Sequence, residues 1–168
     1  MSKFYPDIYV ESVKLIDFTE LESKGITAIL FDIDNTLATY DDAIPDAETA
    51  VFLQSLIDKG FKLAVISNNS KQRVDTFIQG LDIYSVPNAR KPLKKGFKKI
   101  VAHMSLGASE IAIVGDQILT DIFGGNRCGM CTILVSPLAA KENMFFKVKR
   151  FIEKLILKRY IKKENMNK

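Results

Sequence analysis

Two carboxylates, Asp32 and Asp34, follow directly on the apolar run Ala28-Ile29-Leu30-Phe31. A short uninterrupted apolar run reads as a buried strand of a parallel sheet. Positions i and i+2 of an extended backbone project to the same side. Like charges held that close repel, and a hard divalent cation with oxygen ligands is the usual partner that relieves them. The competing reading is an acidic turn, with Asn35 and Thr36 as turn residues. Three later segments also end in polar chemistry: Ser67-Asn68-Asn69, then Arg90-Lys91, then Gly115-Asp116 with Thr120 and Asp121. Carboxylates, a hydroxyl at a helix N-terminus and a lysine are the parts of a phosphoryl-transfer site. The metal needs oxygen ligands, and the three phosphoryl oxygens need cations and N–H donors. Ser67 and the amides after it suit one oxygen, helped by the dipole of the following helix. Lys91 suits another as a point charge.

These groups require a scaffold that brings distant segments together. Apolar patterning predicts strands over 27–32, 62–67, 83–86, 110–116 and 132–135. Helices are predicted over 47–59, from Ser70 to 79, from Pro92 to 104, and from the end of the fourth strand to 127. Gly60 and Gly80 stand as C-terminal stops. Strands alternating with helices mean an α/β fold: a doubly wound, mainly parallel five-stranded sheet with helices on both faces. Residues 1–24 are apolar without a clear period and are expected to form an arm carrying a helical turn. In such sheets ligands bind outside the carboxyl ends of the strands. Every chemical candidate above sits at such an end. The opposite ends carry Thr27, Lys62 and Glu110, which do not converge.

Asp32-Ile33-Asp34-Asn35-Thr36 resembles the first motif of the haloacid dehalogenase-like superfamily. Ser67 resembles the second motif, Lys91 the third, and Gly115-Asp116-Gln117-Ile118-Leu119-Thr120-Asp121 the fourth, in the family's order over residues 28–121. The resemblance implies a phosphatase that uses Mg²⁺. Asp32 is then the nucleophile of an aspartyl-phosphate intermediate, and Asp34 the acid and base. Ser67, Asn68 and Lys91 bind the phosphoryl group. Asp32, Asp34 (through its main-chain carbonyl), Asp116 and Asp121 hold the metal, Asp121 directly or through water. An acid at position 34 favours phosphomonoester hydrolysis over the ATPases and dehalogenases of the superfamily. Asp121 also has a plainer reading, a carboxylate meeting a helix macrodipole.

The intervals 37–46 and 68–90 are too short for a folded cap domain, so a capless enzyme with an open site is expected, acting on a bulky phosphorylated substrate. The arm leading to Phe31-Asp32-Ile33-Asp34-Asn35-Thr36-Leu37, with Ile66-Ser67-Asn68-Asn69 and Ala89-Arg90-Lys91-Pro92, is most similar to the YqeG-like branch of subfamily IIIA. That branch resembles phosphatidylglycerophosphate phosphatases, which implies a phosphorylated lipid headgroup. A regulatory protein that binds a phospho-ligand without turnover is the alternative; the intact acidic set argues against it.

The single domain, arm included, is expected over 1–140, followed by a basic amphipathic helix over 141–168. Ten basic and three acidic residues from Lys141 to Lys168 leave the body at −3 within a whole-chain charge of +4. Phe145, Val148, Phe151, Ile152, Leu155, Ile156 and Tyr160 are expected on one side at helical spacing, with Lys147, Lys149, Arg150, Lys154, Lys158, Lys162 and Lys163 taking much of the remainder. Two readings stand: a helix on an anionic membrane surface, or one packed on the domain with a solvated basic face. No nucleic-acid-reading motif is present, and the sequence assigns no oligomeric state. Cys128 and Cys131 offer too few partners for structural zinc, and reduced buried thiols are expected. No signal peptide or membrane span is visible, so a cytoplasmic, membrane-peripheral protein is expected.

Overall fold

The computed structural model describes residues 2–139 and 144–166, with the side chains of 144–147 and 164 left aside. Six parallel strands form one sheet: β1 (Ile8–Val10), β2 (Ala28–Phe31), β3 (Lys62–Ile66), β4 (Tyr84–Val86), β5 (Ile111–Gly115) and β6 (Cys131–Val135). Their order is β1-β6-β5-β2-β3-β4. The doubly wound parallel architecture is as expected, with one more strand. The arm supplies β1, which pairs with β6 at Ile8↔Ile133 through Val10↔Val135. Three half-buried residues on an edge carry no periodic signal, because only neighbouring backbone makes them a strand.

The helices are α1 (Phe18–Ser23), α2 (Ala47–Asp58), α3 (Lys71–Phe77), α4 (Lys94–Met104), α5 (Phe123–Cys128) and α6 (Met144–Met166). Asp46 and Ser70 cap α2 and α3, their side chains accepting from the N–H groups of Thr49 and Arg73. α4 starts two residues beyond Pro92, which itself follows a cis peptide bond. The expected fourth helix is divided: a π-helical turn over Ile118–Ile122 precedes α5.

Residues of β2 alternate between two cores. Ile29 and Phe31 join Phe18, Leu21, Leu53, Leu56, Val74 and Phe77 from α1, α2 and α3. Ala28 and Leu30 join Phe97, Ile100 and Met104 of α4. All four strand residues are buried, which explains why the run is continuously apolar. Fully burying a side chain of Leu or Phe size contributes roughly 1.5–3 kcal/mol. This central strand is therefore a stiff base for the acidic turn at its end.

The third core places Ile118, Ile122 and Leu134 against Ile156 and Leu157 of α6. The C-terminal helix thus packs on the domain. Its apolar residues do not share one side, however. Ile156, Leu157 and Tyr160 turn inward, while Val148, Phe151, Ile152 and Leu155 are exposed. Phe145 lies outside the described side chains. No helix is long and apolar enough to cross a membrane among the described residues.

Candidate active site

Register decides which side chains meet. Phe31 is level with Val65 on one side and Val114 on the other. Asp32, Ser67 and Asp116 therefore emerge at the same end of three adjacent strands. Chain order runs outward from β2 through β3 to β4, then returns to β5 on its other flank. Asp32 stands at this switch point, where doubly wound sheets leave a crevice.

A tight turn follows β2. Asn35 takes a left-handed φ of 66°, and its N–H donates to Ala38 O at 2.7 Å. Asn tolerates that conformation better than most residues. Asp32 and Asp34 both line one cleft of about 690 Å³, together with Tyr40, Ser67, Lys91 and Gln117. Their charges are nevertheless compensated separately. Lys91 Nζ lies 2.8 Å from Asp32 Oδ1, whereas Asp34 receives Arg73 at 3.2 Å and the Asn69 amide at 3.3 Å. The acidic pair does not need one shared cation.

The three-carboxylate group is instead Asp32, Asp116 and Asp121, each offering an oxygen within 4.8 Å of the others. Lys91 bridges two of them, with Nζ 2.7 Å from Asp121 Oδ1. Burial pushes the Asp32 carboxyl up to about 8; Lys91 opposes that shift, and Asp121 and Asp116 add to it. Burial likewise raises Asp116, against the pull of Arg150. Lys91 is raised by Asp121 and Asp32, which outweigh its burial. Asp116 Oδ1 is buried without a hydrogen-bond partner among the described residues. Three carboxylates with an orphaned oxygen fit a hard divalent cation.

Gly115 makes room for this arrangement. A Cβ there would stand 2.4 Å from Asp121 Cγ. Asp121 Oδ2 in turn accepts from the Gln117 N–H at 3.1 Å, within the π-helical turn. That turn carries Asp121 back to the strand end, so the carboxylate is more than a helix-dipole charge.

Ser67 is buried, and its Oγ accepts from the Asn69 N–H at 3.0 Å. Asn68 lines the cleft, but both polar ends of its amide grip the Lys91 main chain. Oδ1 accepts from Lys91 N at 2.6 Å and Nδ2 donates to Lys91 O at 3.2 Å. The Asn68 side chain therefore holds the Lys91 main chain at both its N–H and its carbonyl. Asn88 and Ala89 also bond the Asn69 and Ser67 carbonyls, folding the β4 loop back over β3.

Sequence reasoning missed four neighbours of these groups. Arg73, in the first turn of α3, also donates to Thr39 O and Ala43 O, tying the 37–46 loop to Asp34. Tyr40 lines the cleft, its phenol pushed up to about 12 by burial and by the charges of Asp116, Asp34 and Asp32. Arg150 and Lys149 of α6 bond Asp116 and Gln117. Nothing local marks a lone arginine more than thirty residues from its partner. The expected absence of a cap holds for both intervals, yet the site is not bare: Val148, Lys149 and Ile152 of α6 form part of its wall.

Cys128 ends α5 and Cys131 begins β6; both are free and half-buried. Burial raises both thiols, Cys131 to about 11, the opposite of what a reactive thiolate requires.

A family model described as haloacid dehalogenase-like hydrolase matches residues 9–129. The chain is 34% identical to the probable phosphatase YqeG of Bacillus subtilis, over 92% of this chain and 90% of that protein. It is 33% identical to a chloroplastic/mitochondrial phosphatidylglycerophosphate phosphatase 1 of Arabidopsis thaliana, over 94% of this chain and 48% of that longer protein. Among solved structures, the cobalt-bound deoxy-D-mannose-octulosonate 8-phosphate phosphatase of Haemophilus influenzae superposes with a TM-score of 0.54 at 15% identity. That match covers 82% of this chain and 90% of the other, and it speaks to the fold alone.

Proposed function

Because this chain belongs to the haloacid dehalogenase-like hydrolases and is a phosphatase, we propose that it hydrolyses phosphomonoesters through a covalent phosphate on Asp32. The observation that carries the reading is the placing of Lys91 between Asp32 and Asp121, beside the orphaned oxygen of Asp116.

A carboxylate oxygen of Asp32 attacks phosphorus, forming the Asp32 O–P bond as the bond to the leaving oxygen breaks. Asp34 delivers its proton to that oxygen. In the second half Asp34 takes a proton from water, which attacks phosphorus and restores Asp32 with release of inorganic phosphate. Arg73 and Asn69 hold Asp34 in place for both transfers. Ser67 and Lys91 stabilise the phosphoryl oxygens, and Asn68 is a positioning residue for Lys91. Asp32, Asp116, Asp121 and the Asp34 carbonyl would hold a divalent cation, Mg²⁺ in our reading, which would supply positive charge beside the transferring group and favour the ionised form of Asp32.

For substrate we assign a phosphorylated lipid headgroup of the phosphatidylglycerophosphate class, acted on from the cytoplasmic side. The name of the Arabidopsis relative supports this. So do the uncapped intervals and a cleft whose α6 wall is apolar at Val148 and Ile152.

The test is a substrate panel of phosphatidylglycerophosphate, nucleotides, sugar phosphates and a phosphopeptide, with p-nitrophenyl phosphate as a generic reporter. Turnover should require Mg²⁺, stop with EDTA, and vanish in Asp32→Asn. Turnover that survives Asp32→Asn defeats the covalent mechanism. A sugar phosphate preferred over the lipid defeats the substrate assignment alone.

A further inference from the structure

α6 is apolar on two sides, and the fold uses only one. Inward, Glu153 accepts from the Leu119 N–H at 3.1 Å, Tyr160 packs 5.8 Å from Tyr5, and Ile156 and Leu157 fill the third core. A helix seated by that side has no packing role left for its opposite side. Yet Val148, Phe151, Ile152 and Leu155 stand there at 58%, 62%, 43% and 47% exposure. Spacings of three and four residues make them one stripe over two turns. The stripe continues through Lys158, Arg159 and Lys162, all exposed. It is therefore apolar in its first half and basic in its second. Val148 and Ile152 also line the catalytic cleft, so the apolar half runs into the mouth of the site.

We infer that the outward stripe of α6 is a docking surface for an anionic phospholipid bilayer, and that docking brings the cleft mouth to the headgroup layer. The inference rests on the phosphatase reading only for what the cleft does once it is there.

An apolar patch followed by lysines matches the interface of such a bilayer. Apolar side chains enter the acyl boundary, while long cationic ones reach the headgroup phosphates. Charge complementarity separates this occupant from others. The tail from Lys141 carries ten basic against three acidic residues, and the rest of the chain is net acidic. An anionic surface attracts this face and repels the body, which orients the molecule. A second copy would bring one strongly basic tail against another. Four exposed apolar side chains also fall well short of the roughly 800 Å² per partner typical of a stable dimer. A polyanion such as RNA would satisfy the lysines and leave Phe151 and Leu155 in water.

The test is cosedimentation of the full chain with vesicles of equal phosphatidylglycerol and phosphatidylcholine, against pure phosphatidylcholine, at physiological ionic strength. The wild type should pellet with the anionic vesicles only. Phe151→Ser/Leu155→Ser and Lys158→Glu/Lys162→Glu should each weaken binding about ten-fold or more. Neither pair touches the catalytic groups, so hydrolysis of p-nitrophenyl phosphate should stay at the wild-type rate, which also reports that both variants fold. A wild type that stays in the supernatant overturns the inference, as do variants that bind like wild type. A concentration-dependent dimer that dissolves in Phe151→Ser/Leu155→Ser gives the stripe to a second copy and also overturns it. A wild type that turns over p-nitrophenyl phosphate but binds neither vesicle removes the docking surface alone. A wild type that binds the anionic vesicles but shows no turnover removes the catalytic reading alone.

Discussion

The Lys91 ammonium lies 2.7 Å from the Asp121 carboxylate, and neither side chain reaches solvent to any useful degree. Lys91 contacts two members of the three-carboxylate group directly. Removing one partner of a buried ion pair leaves uncompensated charge, at a cost of about 3–5 kcal/mol. Lys91→Met should destabilise the EDTA-treated protein by that amount in urea unfolding and abolish turnover. A stability change below about 1 kcal/mol, as for a surface pair, would show that the three carboxylates do not depend on Lys91.

The same cluster sets a pH slope. Asp32 is raised from an ordinary carboxylate value to about 8, and Asp116 is raised as well. The folded state then holds protons that the unfolded chain has already released, so metal-free stability falls as pH climbs from about 4 to about 8. Asp42 and Asp46 are shifted the other way, and their slopes lie below the ordinary carboxylate range. Between pH 5 and 8 the EDTA-treated protein should therefore lose thermal stability. Mg²⁺ should raise its melting temperature more at pH 8 than at pH 5.5. A melting temperature that climbs over this range without metal contradicts the proton-holding cluster.

Gly115 is the strand residue against which Asp121 rests. Gly115→Ala forces a methyl against the Asp121 side chain, at its Cβ, Cγ and Oδ2. Overpacking of this kind costs about 1–3 kcal/mol. Here it also displaces Asp121 from Lys91, so metal affinity should fall roughly ten- to a hundred-fold. Calorimetric titration with Mg²⁺ reads the affinity directly, apart from activity. Unchanged affinity would mean that Asp121 has no part in holding metal.

Arg73 joins α3, the 37–46 loop and Asp34. Arg73→Ala leaves Asp32 and Lys91 untouched but frees Asp34, the acid and base of the proposed mechanism. The expected result is a kcat lower by roughly ten- to a hundred-fold with KM nearly constant, because the proposed mechanism has Asp34 act on the leaving oxygen and not in ground-state binding. An activated substrate such as p-nitrophenyl phosphate, whose leaving group needs little protonation, should show the smaller loss. Equal losses on both kinds of substrate would argue that Arg73 binds phosphate instead.

The order of elements and the position of the chemistry are legible in the residues themselves. Ala28-Ile29-Leu30-Phe31 is buried on both faces, so its sequence cannot alternate, and continuous apolarity announces a central parallel strand. A carboxylate directly after such a strand cannot join the core, so the motif marks the sheet end where ligands bind. Ser67, Lys91 and Asp116 could be placed for the same reason. The turns at Asp46 and Ser70 are equally local, since each cap is made within three residues.

Interactions set by long-range geometry were not legible. β1 is a strand only because β6 offers it backbone partners. Asp34 meets Arg73 across 39 positions, and Asp116 meets Arg150 across 34. Two further features have this cause. Asn68 follows Ser67 at the strand end, and the return of the β4 loop presents its side chain with the Lys91 main chain. The C-terminal helix carries apolar residues around most of its circumference, so its sequence is consistent with several seating angles. Packing against Ile118, Ile122 and Leu134 selects one of them, which turns Tyr160 inward and leaves Phe151 outside. The residues in their order thus set the fold class and which polar groups gather at the sheet end, because burial and chain order write themselves into local pattern. The tertiary structure decided which charges pair and which side of α6 faces out, because those depend on contacts between segments that no local pattern encodes.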